Sequence, residues 1–336
     1  MRQHLNRISH LVVNVSDLER SISFYEQLTP LRVFGRANAP EQDFDALGIT
    51  GGTFASAFMA DGTTAQPAVT IQLVQWTNPS PVGKPHTTFF SRGLYRFCFL
   101  TSDLDARYER MLAAGHSSIL PPKGHGIPVP GGSDGRTFVM RDPDGIPVQF
   151  TRRPASWRAD LPDHLYHVNI VSGDIAATLG FLRDVIGLDY VKRLTLPAPV
   201  GPIGFGDGPS TGQYDAVFLR HRGDHRFAVD VVNWFRPGVS GAAYTEPTHL
   251  GIQRIGLEVD DLDAATASLR EQGVDVAGPD VWDLGDAGRR RVAVVHDSEG
   301  IGYELIEQLP FEGARETPWP PEAFTEDERT GFDLNP

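Results

Sequence analysis

One phrase recurs four times along this 336-residue chain and constrains most of what it can fold into. It stands as HLVVNVSD (His10–Asp17), RFCFLTSD (Arg96–Asp103), HVNIVSGD (His167–Asp174) and RIGLEVDD (Arg254–Asp261). Each copy opens on histidine or arginine, passes through alternating apolar residues and closes on aspartate. Alternation predicts a strand with one apolar face. The aspartate, or Ser16 in the first copy, is placed to cap a following helix, and Glu19 would complete a capping box with Ser16. In DLERSISFYEQL, Leu18, Ile22, Tyr25 and Leu28 share one stripe at helical spacing.

Three further strands complete the first unit, around Leu31–Ala37, Phe54–Asp61 and Ala68–Trp76, giving βαβββ. The second unit repeats this with a helix over Asp103–Ala114, the third with one over Asp174–Ile186 and the fourth with one over Asp261–Gln272. RDPDG (Arg141–Gly145) and HDSEG (His296–Gly300) are matching turns with glycine where a positive φ is expected. His10 and His167 lie 157 residues apart, and Arg96 and Arg254 lie 158 apart. The chain therefore reads as a duplicated half, itself duplicated. The expected domains are residues 1–155 and 160–310, joined by the polar Arg152–Asp163 segment and followed by an acidic tail, 311–336.

The expected fold is α+β, with two curled mixed sheets and helices on their outer faces. Leu11, Val13, Phe97, Phe99, Val168, Ile170, Ile255 and Leu257 would lie beneath the helices, leaving the polar residues of the same strands on the other face. With one cup per half, the first would gather His10, Gln72, Arg96 and Gln149. The second would gather His167, Asp230, Arg254 and Glu304.

The four strand–Asp–helix openings, the two turns and the closing strands resemble the vicinal oxygen chelate superfamily over about residues 5–308. That group includes glyoxalase I, bleomycin-resistance proteins, methylmalonyl-CoA epimerase and extradiol dioxygenases. The resemblance implies that metal ligands come from the opening and last strands of each unit, at the eight positions named. Arg96 and Arg254 depart from it, because a guanidinium is always cationic and offers a metal no lone pair. In the second half His167, Asp230 and Glu304 either hold Fe²⁺, Mn²⁺ or Zn²⁺ or serve a plug in which Arg254 bridges the two carboxylates.

The resemblance thus implies an isomerase, lyase or ring-cleaving enzyme acting on an oxygenated, largely apolar small molecule. His167, Arg254 and Glu304 would be catalytic. His10, Arg96, Gln72, Gln149, Trp76 and Trp234 would contact substrate. The alternative is a metal-free antibiotic- or metabolite-binding protein. His10 is open between general base and core histidine. His249 is a candidate for the second cup's rim, His221 and His225 for an exposed hairpin tip, and the long loops Pro121–Gly135 and Leu196–Gly212 for pocket rims. A net charge of −13 without a basic cluster argues against a nucleic-acid surface. No apolar run exceeds strand length, so no membrane span is expected. The N-terminus lacks the apolar core of a secretory signal and the lone Cys98 suits a reducing compartment, so a cytoplasmic monomer or homodimer is expected.

Overall fold

The computed structural model describes residues 1–61, 69–124, 136–153, 162–195, 212–224 and 226–309. The tail, His225, most of the Arg152–Asp163 segment and nearly all of both long loops lie outside the described residues. Unit 1 comprises β1 (Leu5–Asn14), α1 (Leu18–Leu28), β2 (Arg32–Phe44), β3 (Ile49–Ala60) and β4 (Thr70–Asn78). Unit 2 comprises β5 (Gly93–Thr101), α2 (Leu104–Ala113), β6 (Ser118–Gly124), β7 (Arg136–Arg141) and β8 (Pro147–Arg152). Unit 3 has β9 (His164–Val171), α3 (Ile175–Gly180, continued by a π-helical turn to Ile186), β10 (Asp189–Thr195), β11 (Gln213–Arg220) and β12 (Ala228–Arg236). Unit 4 has β13 (Gly251–Val259), α4 (Leu262–Glu271), β14 (Val276–Asp283), β15 (Arg289–His296) and β16 (Gly302–Gln308).

The four helices start as the sequence dictates. Asp17, Asp103, Asp174 and Asp261 each accept the backbone N–H three residues on, from Arg20, Ala106, Ala177 and Ala264. Ser16 does not cap: its hydroxyl donates to Asp144, and Glu19 pairs with Arg36 instead of closing a capping box. All eight residues expected beneath the helices are buried in one apolar cluster drawn from all four units.

The strands form two eight-stranded sheets, and their order overturns the expected cups. One sheet runs β14-β15-β16-β13-β1-β4-β3-β2, the other β10-β11-β12-β9-β5-β8-β7-β6. Unit 1 therefore shares a sheet with unit 4, through antiparallel β1 and β13, and unit 2 with unit 3, through antiparallel β5 and β9. The segment expected to divide two cup-forming domains instead joins two units of one sheet. Each sequence half is held together elsewhere. The Tyr25 hydroxyl donates to Asp142 at 2.9 Å, Arg107 reaches the Leu28 carbonyl at 2.7 Å, and Glu299 accepts the Gly173 N–H at 2.6 Å. Gly145 (φ 101°) and Gly300 (φ 82°) close the matching turns, where the side chains of Asp142 and Asp297 accept two backbone N–H groups each. Among the described residues no helix is long and apolar enough to cross a membrane.

Candidate functional site: two cups of opposite character

The regrouping brings together His10, Gln72, Arg254 and Glu304 in the 1–4 cup, and Arg96, Gln149, His167 and Asp230 in the 2–3 cup. Arg254 bridges only one of the expected carboxylates. Its Nε donates to Glu304 Oε2 at 3.1 Å, while Asp230 lies in the other sheet. The expected metal set of His167, Asp230 and Glu304 does not assemble, and Arg254 and Glu304 cannot act beside His167.

The 1–4 cup is closed by its own side chains. Arg290 Nη2 lies 3.2 Å from Glu304 Oε1, and His10 Nε2 lies 3.5 Å from the same oxygen. Gln72 accepts from Arg290 at 3.4 Å and donates to Ser56 at 3.3 Å. Burial would raise the Glu304 pKa, but the charges of Arg290 and Arg254 and the His10 hydrogen bond hold it well below the usual range. Burial outweighs Glu304 at His10 and keeps the imidazole pKa low. Over this cluster Phe44, Phe54, Trp76 and Trp282 interlock at centroid distances of 5.0–5.5 Å. The expected substrate contacts His10, Gln72 and Trp76 are thus interior groups of a filled hollow, because the aromatic residues of β2, β3, β4 and β14 converge there.

The 2–3 cup is built on one rung that crosses five strands: Lys192, Phe218, Asp230, Asn169 and Arg96 pair in register from β10 to β5. Arg96 Nε donates to Asn169 Oδ1 at 3.0 Å, and Asn169 Nδ2 donates to Asp230 Oδ2 at 2.5 Å. His167 Nε2 stands 3.9 Å from Asp230 Oδ2. Burial raises the Asp230 pKa to about 7 despite the charges of Arg96 and Lys192. Burial, reinforced by the same two cations, keeps His167 neutral. Cys98, opposite His167, is pushed up to about 12 by burial, so it is an inert thiol.

This cup leaves polar groups open. Both ring nitrogens of His167, Asp230 Oδ1, Gln149 Oε1, the Tyr95 hydroxyl and Trp234 Nε1 are buried with no hydrogen-bond partner among the described residues. Groups of this kind normally find a partner, so each is a place for a ligand or water to bind. The lining includes half-exposed side chains, among them Tyr166, Tyr214, Val191 and Leu194. Trp234, packed against Phe90 at 4.8 Å and Tyr214 at 4.9 Å, is a wall of this cup.

Sequence reasoning missed Lys192 and Arg290, which face a cup only once the sheet order is known, and Tyr95, which joins the cup cluster through a β-bulge between Leu94 and Arg96. His221 is half-buried, with Nε2 3.2 Å from the Leu5 carbonyl, so it is not a free hairpin tip. His249 does not stand at a rim. It stacks on Tyr244 at 4.1 Å, and Tyr244 stacks on His86 at 4.2 Å, between the two segments that link units.

Neither cup presents the four-ligand set that the resemblance implies for a divalent metal. In the 1–4 cup both Glu304 oxygens are engaged by guanidinium groups, which stand where a cation would. The 2–3 cup offers one imidazole, one carboxyl and two amides, Gln149 and Asn169, beside two cations. No group of three or more His, Cys, Asp or Glu side chains suited to a metal occurs among the described residues.

Comparisons with known proteins agree with this architecture. The profile of the Glyoxalase/Bleomycin resistance protein/Dioxygenase superfamily matches residues 7–150 and 164–305. A putative lactoylglutathione lyase of Brassica oleracea var. gemmifera is 24% identical over 63% of this chain and 65% of its own length. Lactoylglutathione lyase GLX1 of Arabidopsis thaliana is 23% identical over the same shares. The chain thus matches just under two thirds of the length of these relatives. Glyoxalase I from Zea mays superposes with a TM-score of 0.62 at 18% identity, covering 90% of this chain and 92% of that one. A putative dioxygenase from Bacillus subtilis gives 0.57 at 15% identity, covering 91% and 86%. At these identities the two structures speak for the fold alone. With both halves matched by the profile and both sheets built from its units, the chain belongs to the Glyoxalase/Bleomycin resistance protein/Dioxygenase superfamily.

Proposed function

We propose that the chain is an enzyme of isomerase or lyase type that moves a proton on an oxygenated, largely apolar small molecule bound in the 2–3 cup. One observation carries this reading: Asp230 and His167 face each other at 3.9 Å, buried, with unpartnered polar atoms, in the cup whose lining is partly exposed. A carboxyl titrating near 7 suits a general base at neutral pH. Asp230 Oδ1, the oxygen without a partner, would take a proton from carbon next to a carbonyl. Arg96, steered by Asn169, would steady the developing enolate oxygen, and neutral His167 would hold the neighbouring oxygen. The two plant relatives named lactoylglutathione lyases support a lyase or isomerase class.

Proton NMR in deuterium oxide, with a panel of α-hydroxyketones, 2-oxoaldehyde hemithioacetals and catechols, tests the reading. Exchange or turnover should fall at least about 100-fold in Asp230→Asn and in His167→Gln, and hold in His10→Gln. Activity surviving both 2–3 cup variants would refute it. Among the described residues two metal-suited side chains, His167 and Asp230, converge in this cup, which favours a second reading, ligand sequestration without turnover. Tight binding of a panel compound with no exchange would select it.

A further inference from the structure

We infer that Lys192 is a nucleophilic amine, and that the ligand of the 2–3 cup is an aldehyde or ketone which this amine captures as an imine. The inference rests on the proposal that this cup is the ligand site. It adds the ligand's functional group and a further reacting side chain. Lys192 stands on the rung of Asp230, two strands away, which is about 10 Å between backbones. A lysine side chain and a small carbonyl compound fit within that gap. A β-bulge interrupts β10 between Tyr190 and Lys192, and bulges re-aim the side chains beside them. The Lys192 nitrogen sits 4.6 Å from the centre of the Phe218 ring, a member of the cup's apolar cluster. The residue is half-buried, with no hydrogen-bond or carboxylate partner among the described residues.

Burial lowers the Lys192 pKa from its usual value, with Asp230 pulling the other way. A lysine held against apolar walls gives up its proton more readily, and the free amine attacks carbonyl carbon. The nitrogen lone pair forms the C–N bond, and one N–H proton passes to the carbonyl oxygen, giving a carbinolamine. Asp230, titrating near 7, supplies the proton with which that hydroxyl leaves as water. The iminium keeps the remaining N–H, and the Asp230 carboxylate is then free to take a proton from the adjacent carbon. Return of that proton and attack by water release the product and restore the amine. The 1–4 cup has no equivalent. Gly35 pairs with Phe58 there as Lys192 pairs with Phe218. The cations of that cup, Arg254 and Arg290, are guanidinium groups that stay protonated. The chain has three lysines against 27 arginines, so a position needing charge alone would more commonly carry arginine.

Benzaldehyde has no α-hydrogen and so isolates capture from proton transfer. The full chain is treated with benzaldehyde and cyanoborohydride at neutral pH, and benzylated lysines are located by peptide mass spectrometry. Lys192 should be labelled at least about tenfold faster than the exposed Lys84. Lys192→Arg keeps the cation and should keep the melting temperature, but it lacks the nucleophile. Its exchange of hydroxyacetone protons in deuterium oxide should fall at least about tenfold. Labelling of Lys192 no faster than Lys84, or undiminished exchange in Lys192→Arg, would each overturn the inference. Undiminished exchange in Lys192→Arg with exchange lost in Asp230→Asn would discard the imine and keep the proton-transfer reading. Fast labelling of Lys192 with no exchange of any panel compound would keep the capture and discard the proton transfer.

Discussion

The 1–4 and 2–3 cups share a repeat, an imidazole and a guanidinium, yet one is filled by its own interlocked side chains and the other keeps several half-exposed walls. The difference lies in which strand carries the acid. In the 1–4 cup the carboxylate, Glu304, is on β16, beside the arginine strand β13, and Gln72 occupies β4 beside the histidine strand. In the 2–3 cup the order is reversed: Gln149 is on β8 beside Arg96, and Asp230 is on β12 beside His167. Placing the acid next to arginine gives a carboxylate gripped on both oxygens by guanidinium groups, those of Arg254 and Arg290. Placing it next to histidine gives the arginine an amide partner in Asn169, lifts the carboxyl pKa to about 7 and leaves both ring nitrogens of His167, against only Nε2 of His10, without a hydrogen bond among the described residues. One exchange of acid and amide across two strands thus separates a structural interior from a candidate site.

The largest test of this contrast is Glu304→Gln. It strands Arg254 and Arg290 in a buried cup and should cost about 3–5 kcal/mol in denaturant-measured stability. A loss under about 1 kcal/mol would show that the bridge is not what closes the cup. The second test uses pH, where the cups should act with opposite sign. The depressed pKa of Glu304 gives stability present above its ordinary value and lost as pH falls through the folded one. The raised pKa of Asp230 gives stability fully present below its ordinary value and lost as pH rises through about 7. Asp230→Asn should therefore flatten stability between about pH 4 and 7 and raise it above that range, by up to roughly 4 kcal/mol. An unchanged profile in thermal melts would mean that Asp230 is not buried as described.

Next in size is Gly256→Ala. A Cβ at this position would fall 2.3 Å from the His10 ring, which lies directly over the bare backbone of the neighbouring strand. The cost should be about 1–3 kcal/mol by thermal melting. Cys98→Ala, at the matching place opposite His167, should cost about 1 kcal/mol or less. The smallest test is Gln149→Glu, which moves an acid next to Arg96 as in the closed cup. It should lower turnover or exchange of the active panel compound about tenfold, and an unchanged rate would argue that acid placement does not set the character of the cup.

Much of this molecule was legible before its coordinates. The alternation in HLVVNV and RFCFLT assigned the helix-side core, and Asp17, Asp103, Asp174 and Asp261 marked four helix starts. These features depend on neighbours a few residues away, so a local pattern suffices. The eight strand positions named for the two quartets do gather by fours, but in quartets different from those expected. His10 was assigned a place beside Gln149 and is met by Glu304, 294 positions away along the chain. Arg290 and Lys192 carried no signal, because strand residues at unit edges look alike whether they face a cup or solvent.

By itself the sequence determined four βαβββ units, their buried faces and the superfamily to which they belong, because period-two alternation and aspartate caps act within each unit. Only the tertiary structure decided which units share a cup. The hydrogen bonds joining β1 to β13 and β5 to β9 are backbone bonds, which the peptide group makes in the same way whatever side chains it carries. The choice of partner was left to packing between distant segments. That choice sets which carboxyl meets which guanidinium, and so which hollow its own side chains fill.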